Sequence, residues 1–119
     1  MCNQEVTITS RQISHEWLIL DLCGVINSQL KENLEGIVRH IRAAVVRHVV
    51  LNFSGVSQVD GTGLKLLLLF CVSLRRMNRK LACYGMNPEV LNIFRLARLQ
   101  SMLNMYPDEA SVLALAETD

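Results

Sequence analysis

The stretch that decides the fold runs from Val49 to Leu64 and reads VVLNFSGVSQVDGTGL. Its apolar, β-branched beginning predicts a central strand over residues 48–53. The polar segment from Ser54 to Asp60 predicts a short loop. Asp60 then precedes a run from Leu64 to Arg76 that is apolar on nearly every side, so we expect Asp60 to cap a buried helix.

The same patterns extend the fold on both sides of this stretch. Upstream they predict a strand from Glu5 to Ile13, a tight turn, a second strand from Trp17 to Cys23 ended by Gly24, and a helix capped by Asn27 or Ser28 that runs to about Ala44. Downstream they predict a strand over Leu81–Tyr84, a helix capped by Asn87, a short strand over Leu103–Tyr106 and a last helix opened by Pro107.

This order, β-β-α-β-α-β-α-β-α, places the chain in the α/β class. A strand that is reached through a helix from an earlier strand forms a parallel crossover, while the first two strands form a hairpin. We therefore expect a mixed sheet of four to five strands with helices. The 119 residues lie in the range of one domain, and we expect a single domain over residues 1–119.

Composition excludes several classes of function. Half of the residues are hydrophobic and 19% are charged, which is typical of a chain that folds alone. The formal net charge is +1, so no broad field favours a nucleic acid or an anionic membrane. We therefore expect no nucleic-acid binding. We also expect no direct membrane insertion, because the longest apolar run is too short to span a bilayer.

The four cysteines are far apart and form no C-x-x-C motif. They mostly lie in apolar runs, so we interpret them as small core residues rather than as a zinc or disulfide framework. The chain opens without a signal segment, and we expect a cytoplasmic protein. The three histidines form no metal or catalytic cluster, and no nucleophile or phosphate-loop motif is present, so neither an enzyme nor a cofactor is expected.

The start of the helix after Asp60 is the candidate site. Asp60 can accept a hydrogen bond from the first turn, while Gly61 and Gly63 leave the backbone open around the hydroxyl of Thr62. A phosphate on Thr62 would lie near unpaired N–H groups and the positive end of the helix dipole. The alternative is that Asp-Gly-x-Gly is ordinary loop chemistry and that Thr62 only caps or packs.

Several motifs in their order along the chain resemble the STAS domain (sulphate transporter and anti-sigma factor antagonist). They are Gly24-Val25-Ile26-Asn27, the Val-Val-Leu-Asn strand, Asp60 to Leu64, Pro88-Glu89-Val90, Arg98-Leu99 and Tyr106-Pro107-Asp108. Bacterial stand-alone members of this family carry Asp-Ser-Ser-Gly or Asp-Ser-Thr-Gly after the third strand. Gly61 replaces the usual first Ser here, and Asn27 replaces the commoner Asp.

The resemblance implies an anti-sigma factor antagonist, a non-catalytic regulator of transcription. In that family the second hydroxyl residue of the tetrapeptide, Thr62 here, is phosphorylated by the partner, an anti-sigma factor with serine/threonine kinase activity. A PP2C-type phosphatase is the implied second partner. The kinase supplies the ATP chemistry, so this chain needs no cofactor.

We expect the loops after the second, third and fourth strands to lie at one end of the sheet. The predicted partner contacts around Thr62 are therefore Val25, Asn27, Gly61, Lys65, Leu66, Met86, Asn87 and Val90. Two alternatives remain open. One is an accessory STAS subunit of a larger assembly, such as a phospholipid ABC transporter or a stress-sensing complex. The other is a small-molecule or nucleotide sensor that uses the open N–H groups.

Overall fold

The described residues of the computed structural model, 6–118, form five strands, four α-helices and one 3-10 helix. The elements are β1 Thr7–Gln12, β2 Trp17–Ile26, α1 Leu30–Ala43, β3 His48–Val59, α2 Gly61–Arg76, β4 Lys80–Tyr84, α3 Pro88–Leu96, the 3-10 helix Leu99–Met102, β5 Asn104–Met105 and α4 Glu109–Thr118. The mixed α/β sheet and the predicted order of elements are confirmed. Glu5, the predicted start of the first strand, lies outside the described residues.

The strands lie in the order β1-β2-β3-β4-β5, with β1 antiparallel to β2 and the other neighbours parallel. Helices α1, α2 and α3 pack on one face of the sheet and build the larger core. On that face the rings of Phe53 and Phe94 meet edge to face, with centroids 5.4 Å apart. Helix α4 covers the other face, where Val112 packs against a smaller core that includes Ile19 and Val50.

Strand β2 does not end at Gly24, contrary to the prediction. It continues to Ile26, and the register with β3 shifts just after Gly24. Gly24 has a φ of 94°, in the left-handed region that favours glycine. A glycine inside a strand often marks such an irregularity, so Gly24 bends the strand without ending it.

The segment Ser54–Asp60 was predicted to be a loop, and this prediction is also wrong. Strand β3 continues through it to Val59, paired with the last residues of β2. Val56 and Val59 are 3% and 7% exposed, so two apolar side chains hold the extension against the core. The polar residues between them face solvent, which is why the segment has the composition of a loop.

Two cysteines behave as predicted and one does not. Cys71 and Cys83 are buried free thiols, and burial raises the pKa of each to about 12, so both are neutral at physiological pH. Cys23 is disulfide-bonded, so the interpretation as a core thiol is wrong there. Spacing along the sequence does not show which residues meet in the fold, and Cys2 lies outside the described residues.

A polar network attaches the start of α4 to the sheet. The Arg11 guanidinium donates to Asp21 Oδ1 at 2.9 Å and also to Glu109 Oε1. Asn52 Nδ2 donates to Asp21 Oδ1 at 2.7 Å, and the Tyr84 hydroxyl donates to Glu109 Oε1 at 2.8 Å. Arg11 and Tyr84, from β1 and β4, therefore hold the first residue of α4, and Asp21, supported by Asn52, holds Arg11.

Both carboxylates of this network have lowered pKa values. Burial raises the pKa of Asp21, but hydrogen bonds from Arg11 and Asn52 outweigh that effect. Hydrogen bonds from Arg11 and then from Tyr84 lower the pKa of Glu109. A carboxyl whose pKa is lower in the folded state stabilises the fold above its unfolded pKa, and it loses that contribution as the pH falls through its folded pKa.

We therefore expect the melting temperature to fall as the pH drops below about 5, where unfolded carboxyls, with pKa values of about 4, begin to bind protons. Arg11→Gln removes the charged donor that the two carboxylates share. This variant should be less stable than the parent at pH 7 and should lose less stability between neutral and acid pH. Arg42→Gln, at an exposed position on α1, is the matched control. An Arg11→Gln protein with the parent's pH profile would contradict the role of the network.

Candidate functional site

Helix α2 begins at a capped turn, as predicted from the sequence. Asp60 is the N-cap residue, and its Oδ1 accepts a hydrogen bond from the N–H of Gly63 at 2.7 Å. The N–H of Asp60 donates to the Ile26 carbonyl at 3.0 Å. The side chain of Asp60 therefore orders the first turn, while its backbone attaches that turn to the end of β2.

The two glycines that flank Thr62 differ in what they permit. A Cβ placed on Gly63 would lie 2.2 Å from the carbonyl oxygen of Ile26, so any side chain there would push the helix off the strand. A Cβ on Gly61 would meet nothing within 4 Å. Gly63 is thus required by the packing, whereas position 61 has room for the Ser that the resemblance leads one to expect.

Thr62 is exposed at the second position of α2. The N–H groups of Gly61 and Thr62 have no acceptor inside the helix because no turn precedes them. The start of a helix also carries about half a unit of positive charge. Lys65 is exposed and lies three residues on, which places it on the same side of the helix as Thr62. An anion on Thr62 would therefore lie in a positive potential.

Two of the predicted contact residues lie beside this helix start. Val25 and Asn27 flank Ile26, whose carbonyl accepts from Asp60, and both are partly exposed. Neither Asn27 nor Ser28 is the N-cap of α1, contrary to the prediction. The N-cap is Gln29, and Asn27 Oδ1 accepts from its N–H at 2.9 Å. Asn27 thus orders the turn before α1, because an Asn side chain readily accepts from the N–H two residues on.

The loop after β4 does not start at the same level of the sheet as the loops after β2 and β3. Strand β4 ends at Tyr84, which pairs with Asn52, while β3 continues to Val59. Because β3 is longer, the loops after β2 and β3 share one edge and the loop after β4 leaves the sheet earlier. Met86, in that loop, is partly buried and packs against the larger core.

Asn87 caps α3 and contacts β3, and Val90 is part of the core. Asn87 caps α3 by accepting the N–H of Val90 at 2.8 Å, as predicted for the cap. Its Nδ2 also donates to the carbonyl oxygens of Val56 and Ser57, at 3.2 and 3.3 Å. Val90 is 1% exposed and its side chain belongs to the core, so the structure does not support it as a partner contact.

Helix α2 is not buried on every side, although its sequence predicted this. Its inner face holds Leu67, Phe70, Cys71 and Leu74, but Leu68 and Leu69 are 37% and 52% exposed. Leu66 is partly buried and packs against the larger core. Lys65 and Arg76 were the available signal, because charged residues within an apolar helix mark the side that faces water.

Within residues 6–118, no group of three or more His, Cys, Asp or Glu side chains is placed to hold a metal ion. Across the same residues, no helix combines the length and the apolar character that crossing a membrane requires.

The profile of the STAS domain family matches residues 9–112. The chain belongs to the STAS domain family. The match covers nearly all of the sheet and the capped start of α2. No curated protein sequence matches the chain.

Solved structures similar to this STAS domain include regulators and a transporter domain. The anti-sigma factor antagonist SpoIIAA in its unphosphorylated form has a TM-score of 0.77 at 18% identity, covering 93% of this chain and 97% of that one. An anti-sigma factor antagonist from Mycobacterium paratuberculosis has a TM-score of 0.78 at 18% identity and covers both chains fully. The STAS domain of a SulP transporter from Vibrio cholerae has a TM-score of 0.74 at 18% identity, with 90% and 85% covered. At identities this low, the similarity establishes the fold alone.

The contrast between the two glycines gives a direct test of the site's architecture. Gly63→Ala should lower the free energy of unfolding by about 1–3 kcal/mol, because the added Cβ meets backbone atoms that have no room to yield. Gly61→Ala, the matched control, should be neutral or stabilise by up to about 1 kcal/mol. Urea denaturation at constant m-value measures both. Equal midpoints for the two variants would show that α2 does not pack against Ile26 as described.

Proposed function

We propose that this STAS domain is a cytoplasmic anti-sigma factor antagonist that is switched off by phosphorylation of Thr62. Unmodified, it binds an anti-sigma factor with serine/threonine kinase activity and so regulates transcription, and a PP2C-type phosphatase restores it. The chain itself is proposed to have no enzymatic activity and to bind no nucleic acid. The observation that carries this proposal is the exposed hydroxyl of Thr62 on a helix start already capped by Asp60.

The geometry supports a phosphate that changes the surface and leaves the fold intact. The cap bond joins Asp60 to the N–H of Gly63 and does not involve the Thr62 side chain. A phosphate carries a charge of about −1.5 to −2 at neutral pH and is favoured near a helix N-terminus. We therefore expect modified Thr62 to keep α2 in place while a new dianion appears on the surface.

Gly61 does not weaken this proposal on steric grounds. The space beside it is open, so the side chain of a Ser at this position would fit, but the packing does not need it. The smaller residue leaves the hydroxyl of Thr62 more accessible from that side. We propose that the partner contacts this open surface through Val25, Asn27, Gly61 and Lys65, with Leu66, Met86 and Asn87 at its margin.

The structure of unphosphorylated SpoIIAA supports the proposal by its fold, and an unphosphorylated form implies that phosphorylation is a state of that protein. The alternative, an accessory STAS subunit of a larger assembly, is supported by the similar fold of the SulP transporter domain. Under that alternative Thr62 packs against a scaffold or transporter partner and is not modified.

Incubation with the cognate anti-sigma kinase and ATP should add one phosphate to the chain, and mass spectrometry should place it on Thr62. Thr62→Val should remove the modification because no hydroxyl remains. Thr9→Val, which changes an exposed threonine of β1 that is distant in sequence, is the matched control and should be modified like the parent. Phosphate on another residue, or none, would overturn the assignment of Thr62.

Thr62→Glu should weaken binding to the same anti-sigma factor by at least about tenfold, because a carboxylate reproduces part of the phosphate's charge. Thr62→Gln has the same shape without the charge and should bind closer to the parent. Both variants should unfold at the parent's urea midpoint. Calorimetry measures the affinities. If both variants lose binding equally, size rather than charge is responsible, and recovery of an ABC transporter in a pull-down would favour the accessory subunit.

A further inference from the structure

A groove of about 420 Å³ runs between α1 and α2 on the outer surface of the larger core. Its floor is apolar and is built by Leu34, Val38, Leu66, Leu69 and Phe70. Leu69 is 52% exposed although it lies among these apolar residues. Such apolar surface between two helices has the shape that an amphipathic partner helix occupies.

Cations predominate on the rim of this groove. Lys31 and Arg39 line it from α1 and are both exposed, with Glu35 one turn from each of them. Among the described residues neither cation makes an ion pair, so both charges are available to a partner. Lys65, on the α2 side, lies one turn before Leu69. A partner that presents carboxylates beside an apolar stripe would complement this surface.

We propose that the α1–α2 groove binds an amphipathic helix of the partner protein whose apolar residues, at i, i+3, i+4 and i+7, are flanked by Asp or Glu. The proposal rests on the proposed function for the identity of that partner, an anti-sigma factor. The apolar anchors fill the floor between Val38 and Leu69, and the acidic flanks face Lys31 and Arg39.

The position of Thr62 connects the groove to the proposed switch. Leu66, at the near end of the floor, is one turn after Thr62, a rise of about 6 Å along the helix axis. An acidic helix seated in the groove would lie within range of charge on Thr62, because the screening length at physiological salt is about 8 Å. A phosphate on Thr62 would repel the acidic flank and would attract Lys65 to itself, so both effects oppose binding.

The test uses a synthetic peptide of about 15 residues with Leu at i, i+3, i+4 and i+7 and Glu at the flanking positions. A second peptide carries Lys in place of every Glu. The acidic peptide should shift the amide resonances of Leu34, Val38, Leu66 and Leu69 of the full chain and should bind at least about tenfold more tightly than the basic one. Equal binding of both peptides, or no binding, would overturn the proposal.

Variants of the chain locate the binding surface. Leu69→Glu should weaken binding of the acidic peptide by at least about tenfold, because it puts a negative charge on the floor of the groove. Leu96→Glu is the matched control: Leu96 is 76% exposed on α3, outside the groove, and its substitution should leave affinity within about twofold. Arg39→Gln tests the rim separately. Sedimentation that shows a dimer broken by Leu69→Glu would overturn the proposal in favour of a second copy as the occupant.

The same variants separate this proposal from the proposed function. If the kinase phosphorylates Thr62 and binds Leu69→Glu as well as it binds the parent, the groove proposal fails and the switch is retained. If the acidic peptide binds and Leu69→Glu abolishes that binding while the kinase leaves Thr62 unmodified, the groove is supported and the switch fails. Both measurements use the full chain.

Discussion

The contact of helix α2 with the end of β2 is the constraint on which the candidate site depends. The Ile26 carbonyl accepts the N–H of Asp60, and the same carbonyl lies where a side chain on residue 63 would otherwise be. Both contacts require that β2 and β3 stay paired as far as Ile26 and Val59. The irregular, glycine-containing ends of these strands thus fix the direction in which α2 leaves the sheet and the side on which Thr62 is exposed.

The parts of the fold that depend on local chemistry could be predicted from the sequence. Asp60 and Asn87 were identified as caps because each precedes a helical pattern and carries an oxygen that reaches the first turn. The extension of β3 could not be predicted, because Ser54, Gly55 and Ser57 have loop composition. The segment is a strand because Gly55, Val56 and Gln58 pair with β2, and a single segment carries no record of its partner strand.

The candidate site shows the same division. The hydroxyl of Thr62 and the Asp60 cap of α2 could be predicted from residues 60–63, but the burial of Val90 could not. Val90 lies in the first turn of α3, where the sequence alone does not tell which side of the helix faces the core. The extension of β3 also provides the carbonyl oxygens of Val56 and Ser57 that Asn87 contacts. Contacts between loops thus depend on strand lengths, and strand lengths depend on pairing with other strands.

The sheet separates two kinds of surface. On one face, α4 is held by the network of Arg11, Asp21 and Glu109, in which the charges have partners and the carboxyl pKa values are lowered. On the opposite face, the cations beside the α1–α2 groove make no ion pair within residues 6–118. Paired charges attach an element of the chain itself, whereas unpaired charges beside apolar surface remain available for another molecule. This difference is the physical reason to place partner binding on the helical face with α2.

Helix α2 is attached to the core on one side and is exposed to a partner on the other. Leu67, Phe70 and Leu74 anchor it in the core, and the cap and the packing of Gly63 hold its first turn through backbone atoms. None of these contacts uses the side chain of Thr62. A charge placed there has no packed element to displace, so its effect must be exerted across the surface on whatever lies along the exposed side of α2. The proposed switch therefore requires no second conformation, since electrostatic repulsion at a rigid helix start is sufficient.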